Sequence, residues 1–239
     1  MTQLLYQGDA YTRAFQSTIA AVHPTRPAVS LGQTAFYPGG GGQPCDHGVL
    51  GIDGRPLPVT KVKKAGREIW HHLGEKFDIR VGTPVAGRID WDRRYQLMRT
   101  HTALHILCGV VWRDYQAQVT GGNMEPLEGR MDFEFRSLTK ELVGEIEERC
   151  NAEVGAAREV RVRILPREDA FLIPDLIRTK INLLPQGIHE VRTVEIVGLD
   201  LQADGGTHVA STREVGPIRV VDYKSKGALN KRLYIQLNG

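Results

Sequence analysis

His101 and His105 stand four residues apart in RTHTALH. On a helix that spacing puts both imidazoles on one face, with Cβ atoms about 5–6 Å apart, so they can share one metal ion or simply line a polar stretch. Thr102, not a glutamate, follows His101, which departs from the HExxH pattern of the zinc proteases. A second cluster, LQADGGTH, again sets a carboxylate and an imidazole four apart, Asp204 and His208. Gly205-Gly206 between them predicts a tight loop rather than a helix, gathering backbone amides and both side chains round one point. The third cluster, TAFYPGGGGQP from Thr34 to Pro44, holds Gly39, Gly40, Gly41 and Gly42 followed by Gln43. No Gly-Lys-Ser/Thr follows, and Pro44 prevents a helix from starting directly after it, so neither a phosphate loop nor a dinucleotide fingerprint fits. Such glycines serve a turn, or a place where a ligand's backbone passes close, and Gln43 can both donate and accept hydrogen bonds.

Residues 1–90 contain short β-prone runs, Phe15–Val22, Ala28–Leu31, Pro58–Lys63 and Glu68–His72, broken by Gly, Pro and Asp. That spacing predicts a small barrel or curled sheet. His71-His72 beside Trp70 then belongs to a strand, one ring in and one out. From Trp91 the pattern changes to a proline-free run with apolar residues at helical spacing, predicting a long helix over about Trp91–Tyr115 that carries the first histidine pair. Residues 131–136 alternate as a strand, LTKELVGEIEERCNAEVGAAREV is helical, and residues 160–165 alternate again. REDAFLIPDLI reads as a short helix interrupted by Pro174, followed by strands near Val191–Val197, Pro217–Tyr223 and Arg232–Leu237. This order predicts an α+β protein with two domains: a β-barrel-like domain over 1–90, and an α+β domain over 91–239 with a mainly antiparallel sheet packed by helices.

The chain has 239 residues, of which 41% are hydrophobic and 25% charged, a globular composition that excludes disordered, collagenous and coiled-coil classes. A net charge of +3 permits an anionic partner without implying a polycation. Its 26 glycines are well above the usual share, so many positions need positive φ or close backbone approach. Cys45, Cys108 and Cys150 form no CxxC, which argues against a disulfide framework or a thiolate zinc ribbon. The N-terminus lacks a basic segment followed by an apolar one, and no run is long enough to span a bilayer, so a cytoplasmic protein with no membrane partner is expected. Basic clusters at Lys61-Lys63-Lys64 and at Lys224, Lys226, Lys231 and Arg232 are candidate phosphate contacts or solvated faces.

Together the three motifs resemble the alanyl-tRNA synthetase editing domain and its free-standing AlaX-type relatives. FYPGGGGQP is similar to that family's FYPxGGGQ motif, RTHTALH to its HxxxH and DGGTHV to its CGGTHV, in the same order, and the likeness extends over nearly the whole chain. The resemblance implies a zinc-dependent, trans-acting hydrolase of the medium-length type, removing serine or glycine wrongly attached to alanine tRNA without ATP. It implies His101, His105, Asp204 and His208 as metal ligands, and Thr34, with Gln43 as the alternative, as the polar contact for the serine hydroxyl. Such a correcting site has a physical rationale. A pocket built for alanine rejects serine poorly, whereas a site with a partner for the hydroxyl favours it. One departure stands out. Asp204 replaces the family's cysteine, exchanging a soft thiolate for a harder carboxylate and weakening discrimination against Fe²⁺, Mn²⁺ or Co²⁺. A non-catalytic tRNA-binding module and an unrelated metalloenzyme with three histidines and a carboxylate are the competing readings.

Overall fold

The computed structural model describes residues 2–75, 78–176 and 188–239, and the chain divides into two compact units, Met1–Tyr95 and Gln96–Gly239. In the first unit β1 (Gln3–Leu4) pairs in parallel with β4 (Gln33–Thr34). A closed barrel is formed by β2 (Ala14–Val22), β3 (Ala28–Leu31), β5 (Gly48–Ile52), β6 (Arg55–Ala65), β7 (Glu68–Leu73) and β8 (Pro84–Ile89). Around the barrel the order is β2, β3, β7, β6, β5, β8, with every ladder antiparallel. Alternate residues point inward, so Phe15, Ile19, Val29, Leu31, Leu50, Ile52, Val59 and Val62 fill the core. β5 and β8 escape sequence pattern because GVLGI and PVAGRI carry glycine or proline. Their pairing with each other, Gly51 opposite Ala86, closes the ring.

The composition change at Trp91 predicted a boundary at 90/91, whereas the compact unit runs to Tyr95. Arg94, fully buried, explains the difference. Its guanidinium donates to both carboxylate oxygens of the equally buried Asp46, and to the carbonyls of Ala10 at 2.8 Å and Ala35 at 2.6 Å.

The expected helix, α1 (Trp91–Tyr115), is buried on all sides from Thr100 to Val111. It is followed by β9 (Val119–Glu125), β10 (Glu128–Glu134), α2 (Lys140–Gly155), β11 (Val160–Pro166), α3 (Arg167–Ala170), β12 (Glu190–Ile196), β13 (Asp200–Ala203), β14 (Ile218–Ser225) and β15 (Asn230–Leu237). One antiparallel sheet has the order β14, β15, β10, β9, and the other the order β11, β12, β13. Leu104 of α1 packs on Gly129 of β10, and α2 is tied to β14 by Asn151, whose side chain donates to Ile218 O at 2.8 Å and accepts from Ile218 N at 2.9 Å. At Gly109 the helix meets the turn into β13 so closely that an added Cβ would lie 2.8 Å from Leu199 Cγ and 3.2 Å from Leu199 O. The helix expected over REDAFLIPDLI is corrected to the four residues of α3. Pro174 disfavours helical backbone in the residue before it, so turns succeed α3, and residue 177 lies outside the described residues.

Candidate metal centre

The buried middle of α1 delivers His101 and His105, and the loop after β13 delivers Asp204 and His208. One nitrogen or oxygen from each of the four lies within 4.8 Å of the others. His101 and His208 stack with ring centroids 4.2 Å apart, and His105 stands edge-on to His208 at 4.6 Å. Asp204 shapes its own loop: Oδ2 accepts from the Gly206 N–H at 2.7 Å and lies 3.1 Å from His208 Nε2. Its other oxygen, Oδ1, faces His101 Nε2 at 3.6 Å.

Groups that the sequence reading did not single out hold the outer sides of these residues. His105 Nδ1 lies 3.1 Å from Asp200 Oδ2, so the ring donates outward and leaves Nε2 as a lone pair. His208 Nδ1 lies 3.1 Å from Thr102 Oγ1, and His101 is hydrogen-bonded to the Thr207 backbone. Arg192 donates to the Asp204 carbonyl at 2.9 Å. Gln202 joins the outer layer, donating to Asp200 Oδ2 at 2.7 Å and to the buried Cys108 Sγ at 3.3 Å. A signal for two of these existed: Asp200 precedes Asp204 by four residues, and Thr102 lies inside the HxxxH itself.

Burial pushes His101 down to about 4 against the pull of Asp204, and pushes His208 well below the ordinary imidazole value. For His105 burial acts the same way, but the hydrogen bond and charge of Asp200 outweigh it and raise the ring above its usual value. Burial also opposes ionisation of Asp204, yet the surrounding histidines hold its carboxyl well below the carboxylate range. The result is one partly buried anionic oxygen beside three buried imidazoles. Three nitrogens and one carboxylate suit a four-coordinate divalent metal, so the donor set fits.

The other candidates have local partners of their own. Thr34 Oγ1 lies 2.8 Å from His71 Nε2 and accepts from Phe36 N at 3.1 Å. Because His71 Nδ1 faces the Val29 carbonyl at 3.2 Å, Nδ1 carries the proton and the Thr34 hydroxyl donates to Nε2. Gly39, Gly40, Gly41 and Gly42 all have positive φ, at 81°, 142°, 57° and 88°, which accounts for four successive glycines. Gln43 closes the turn by exchanging backbone hydrogen bonds with Gly40 at 2.9 and 3.0 Å, and its side chain is buried. Of the C-terminal cations, Arg232 grips Asp132 through two bonds of 2.6 and 2.7 Å, and Lys224 lies 3.1 Å from Asp222. Lys231 is buried, its Nζ donating to Gly227 O and Ala228 O at 2.7 and 2.9 Å, while Lys226 N donates to Asn230 O at 2.8 Å.

Residues 10–93 match the family model described as tRNA synthetases class II (A), and residues 191–234 match that of the threonyl and alanyl tRNA synthetase second additional domain. The chain is 39% identical to the alanyl-tRNA editing protein AlaX-M of Saccharolobus solfataricus, covering 98% of each. It belongs to the AlaX-M family. A further AlaX-M, from Methanosarcina barkeri, is 35% identical over 99% of both chains. The alanine–tRNA ligase of Pyrococcus furiosus is 37% identical over 92% of this chain and 24% of the ligase, so most of this chain is similar to about a quarter of a larger enzyme. Among the described residues no helix is long and apolar enough to cross a membrane.

Proposed function

We propose that the protein is a cytoplasmic, trans-acting hydrolase that deacylates alanine tRNA mischarged with serine or glycine, using a zinc ion held by His101, His105, Asp204 and His208. The convergence of the HxxxH and DGGTH residues within 4.8 Å, in a chain of the editing-protein family, carries this reading. The ester to the tRNA ribose already has a good leaving group, so the site has only to bring water to the carbonyl. A divalent metal there would supply Lewis acidity, lowering the pKa of water or holding the substrate's α-amino group. The chain's own residues hold the site in register: Asp200 fixes the His105 tautomer, Thr102 Oγ1 holds His208 Nδ1 by a hydrogen bond, and Arg192 anchors the loop backbone at Asp204. Thr34, or else Gln43, recognises the serine hydroxyl, and Lys224, Lys226, Lys231 and Arg232 are further candidate tRNA contacts.

The test is deacylation of serylated, glycylated and alanylated tRNA by one metal-analysed preparation. Hydrolysis of the first two and sparing of the third is expected, whereas bound tRNA left acylated would identify a non-catalytic module. Asp204→Asn should weaken metal binding with the fold intact, and Asp204→Cys should retain zinc and shift preference from harder metals. Unchanged occupancy and unchanged turnover in Asp204→Asn would leave a three-histidine site.

A further inference from the structure

Side-chain alternation on β7 sends His71 into the barrel and His72 outward, half-exposed. The outer wall around His72 is assembled from both neighbours of that strand. Across the β6–β7 ladder, Lys61 lies opposite His72 and Lys63 opposite Trp70. The connection between β2 and β3 adds Arg26 and His23, whose ring packs edge-on against Trp70 with centroids 4.9 Å apart. His23 Nδ1 accepts from the Arg26 N–H at 3.2 Å, which fixes the turn.

This wall is predominantly positive. Burial, then Lys61, Arg26, His23 and Lys63, push His72 below its ordinary value, and no carboxylate is among the groups acting on it. Glu68, on the same strand, accepts a hydrogen bond from the Ser30 hydroxyl. Among the described residues no carboxylate pairs with Arg26, Lys61 or Lys63. The C-terminal cluster is the opposite case, since Arg232 and Lys224 each hold an aspartate.

We propose that this wall of the barrel, Arg26, Lys61, Lys63 and His72 around Trp70, binds the phosphate backbone of an RNA, resting on the preceding reading in taking that RNA to be the tRNA substrate. Exposed ammonium and guanidinium groups free of carboxylates can each replace counterions on a phosphate, and an indole flanked by cations offers a stacking surface to an unpaired base. The contacts are to backbone rather than base edges, so they supply affinity and not identity.

The experiment measures binding of uncharged alanine tRNA, over 50–200 mM salt, by the full chain and by the variant Arg26→Gln/Lys61→Gln/Lys63→Gln. We expect affinity to fall about tenfold or more and the log–log salt slope to shrink by about two to three, since each lost phosphate contact removes roughly 0.9. Metal content and the deacylation kcat should match wild type while KM rises. A second variant, Arg136→Gln/Lys140→Gln, removes exposed charges from the other unit and should leave the slope unchanged. Unchanged affinity and slope in the triple variant overturn the proposal, as does an equal loss in the second variant or failure of wild type to bind tRNA. Capture by phosphatidylglycerol vesicles, with tRNA affinity intact in the triple variant, would assign the wall to a lipid surface instead. Wild type that binds tRNA through this wall yet leaves serylated tRNA intact would remove the hydrolase reading and keep this one.

Discussion

Asp46 is a fully buried carboxylate and Asp204 a partly buried one, and the groups that face them differ. Asp46 faces Arg94, a permanent cation. Its oxygens accept from Nε at 2.9 Å, from Nη2 and from Tyr37 N at 2.6 Å, while the spare guanidinium donors reach Ala10 O and Ala35 O. Charge and hydrogen bonds are both complete there. Asp204 faces three imidazoles, of which burial keeps His101 and His208 averse to protons. Arg192 stays 3.8 Å from its carboxylate and donates to its carbonyl instead. A buried carboxylate with a dedicated cation works as a staple. One ringed by three imidazoles could instead hold a cation from outside.

The largest expected effect breaks the staple. Asp46→Ala leaves Arg94 buried and uncompensated, which should cost about 3–5 kcal/mol of stability by urea unfolding with metal content unchanged. Loss of bound metal in a still-folded Asp46→Ala protein would show that the two regions are not independent. Removing the metal should act on the Asp204 cluster alone: chelation should lower stability by about 4 kcal/mol if free metal had stood a thousandfold above Kd. His101→Ala/His105→Ala should hold no metal and be indifferent to chelator. Stoichiometric metal in that double variant sinks the ligand assignment.

A smaller effect separates a buried histidine with a structural partner from those around Asp204. Burial lowers His71 to about 4, so as pH falls below 6.5 the unfolded chain takes up the proton first. Stability from this residue is therefore complete above pH 6.5 and drains away between 6.5 and about 4, amounting to about 2 kcal/mol lost at pH 5. The difference in unfolding free energy between pH 8 and pH 5 should shrink by that amount in His71→Gln. The smallest effect concerns Thr34→Val, which should slow hydrolysis of serylated tRNA about 2- to 13-fold, the worth of a neutral hydrogen bond, and that of glycylated tRNA less. Equal losses on both substrates would show that Thr34 serves His71 and the barrel rather than serine.

The four converging residues were legible in the sequence because their spacing is local: two i,i+4 pairs, one on an uninterrupted helix and one across Gly205-Gly206. Their supports were not. Asp200 matters only because β13 brings it against His105, a contact made possible by the side-chain-free surface at Gly109. The strands show the same division. β2 and β7 announce themselves by alternation, whereas β5, β8 and β9 are interrupted by glycine or proline and become strands by pairing with a neighbour already in place. The motif glycines were legible as glycines, and the four positive φ angles give their reason.

Arg94 has a consequence for the order in which the chain is made. All six barrel strands have been synthesised by Ile89, yet the counter-charge for Asp46 arrives five residues later, in the first turn of α1. A nascent chain that has released its whole barrel must still hold Asp46 in contact with water until Arg94 clears the ribosome. Full burial of Asp46 beside its counter-charge thus has to follow synthesis of the first turn of the helix that carries His101 and His105. A fragment severed at Asp90, where the composition changes, would remain permanently at that waiting stage.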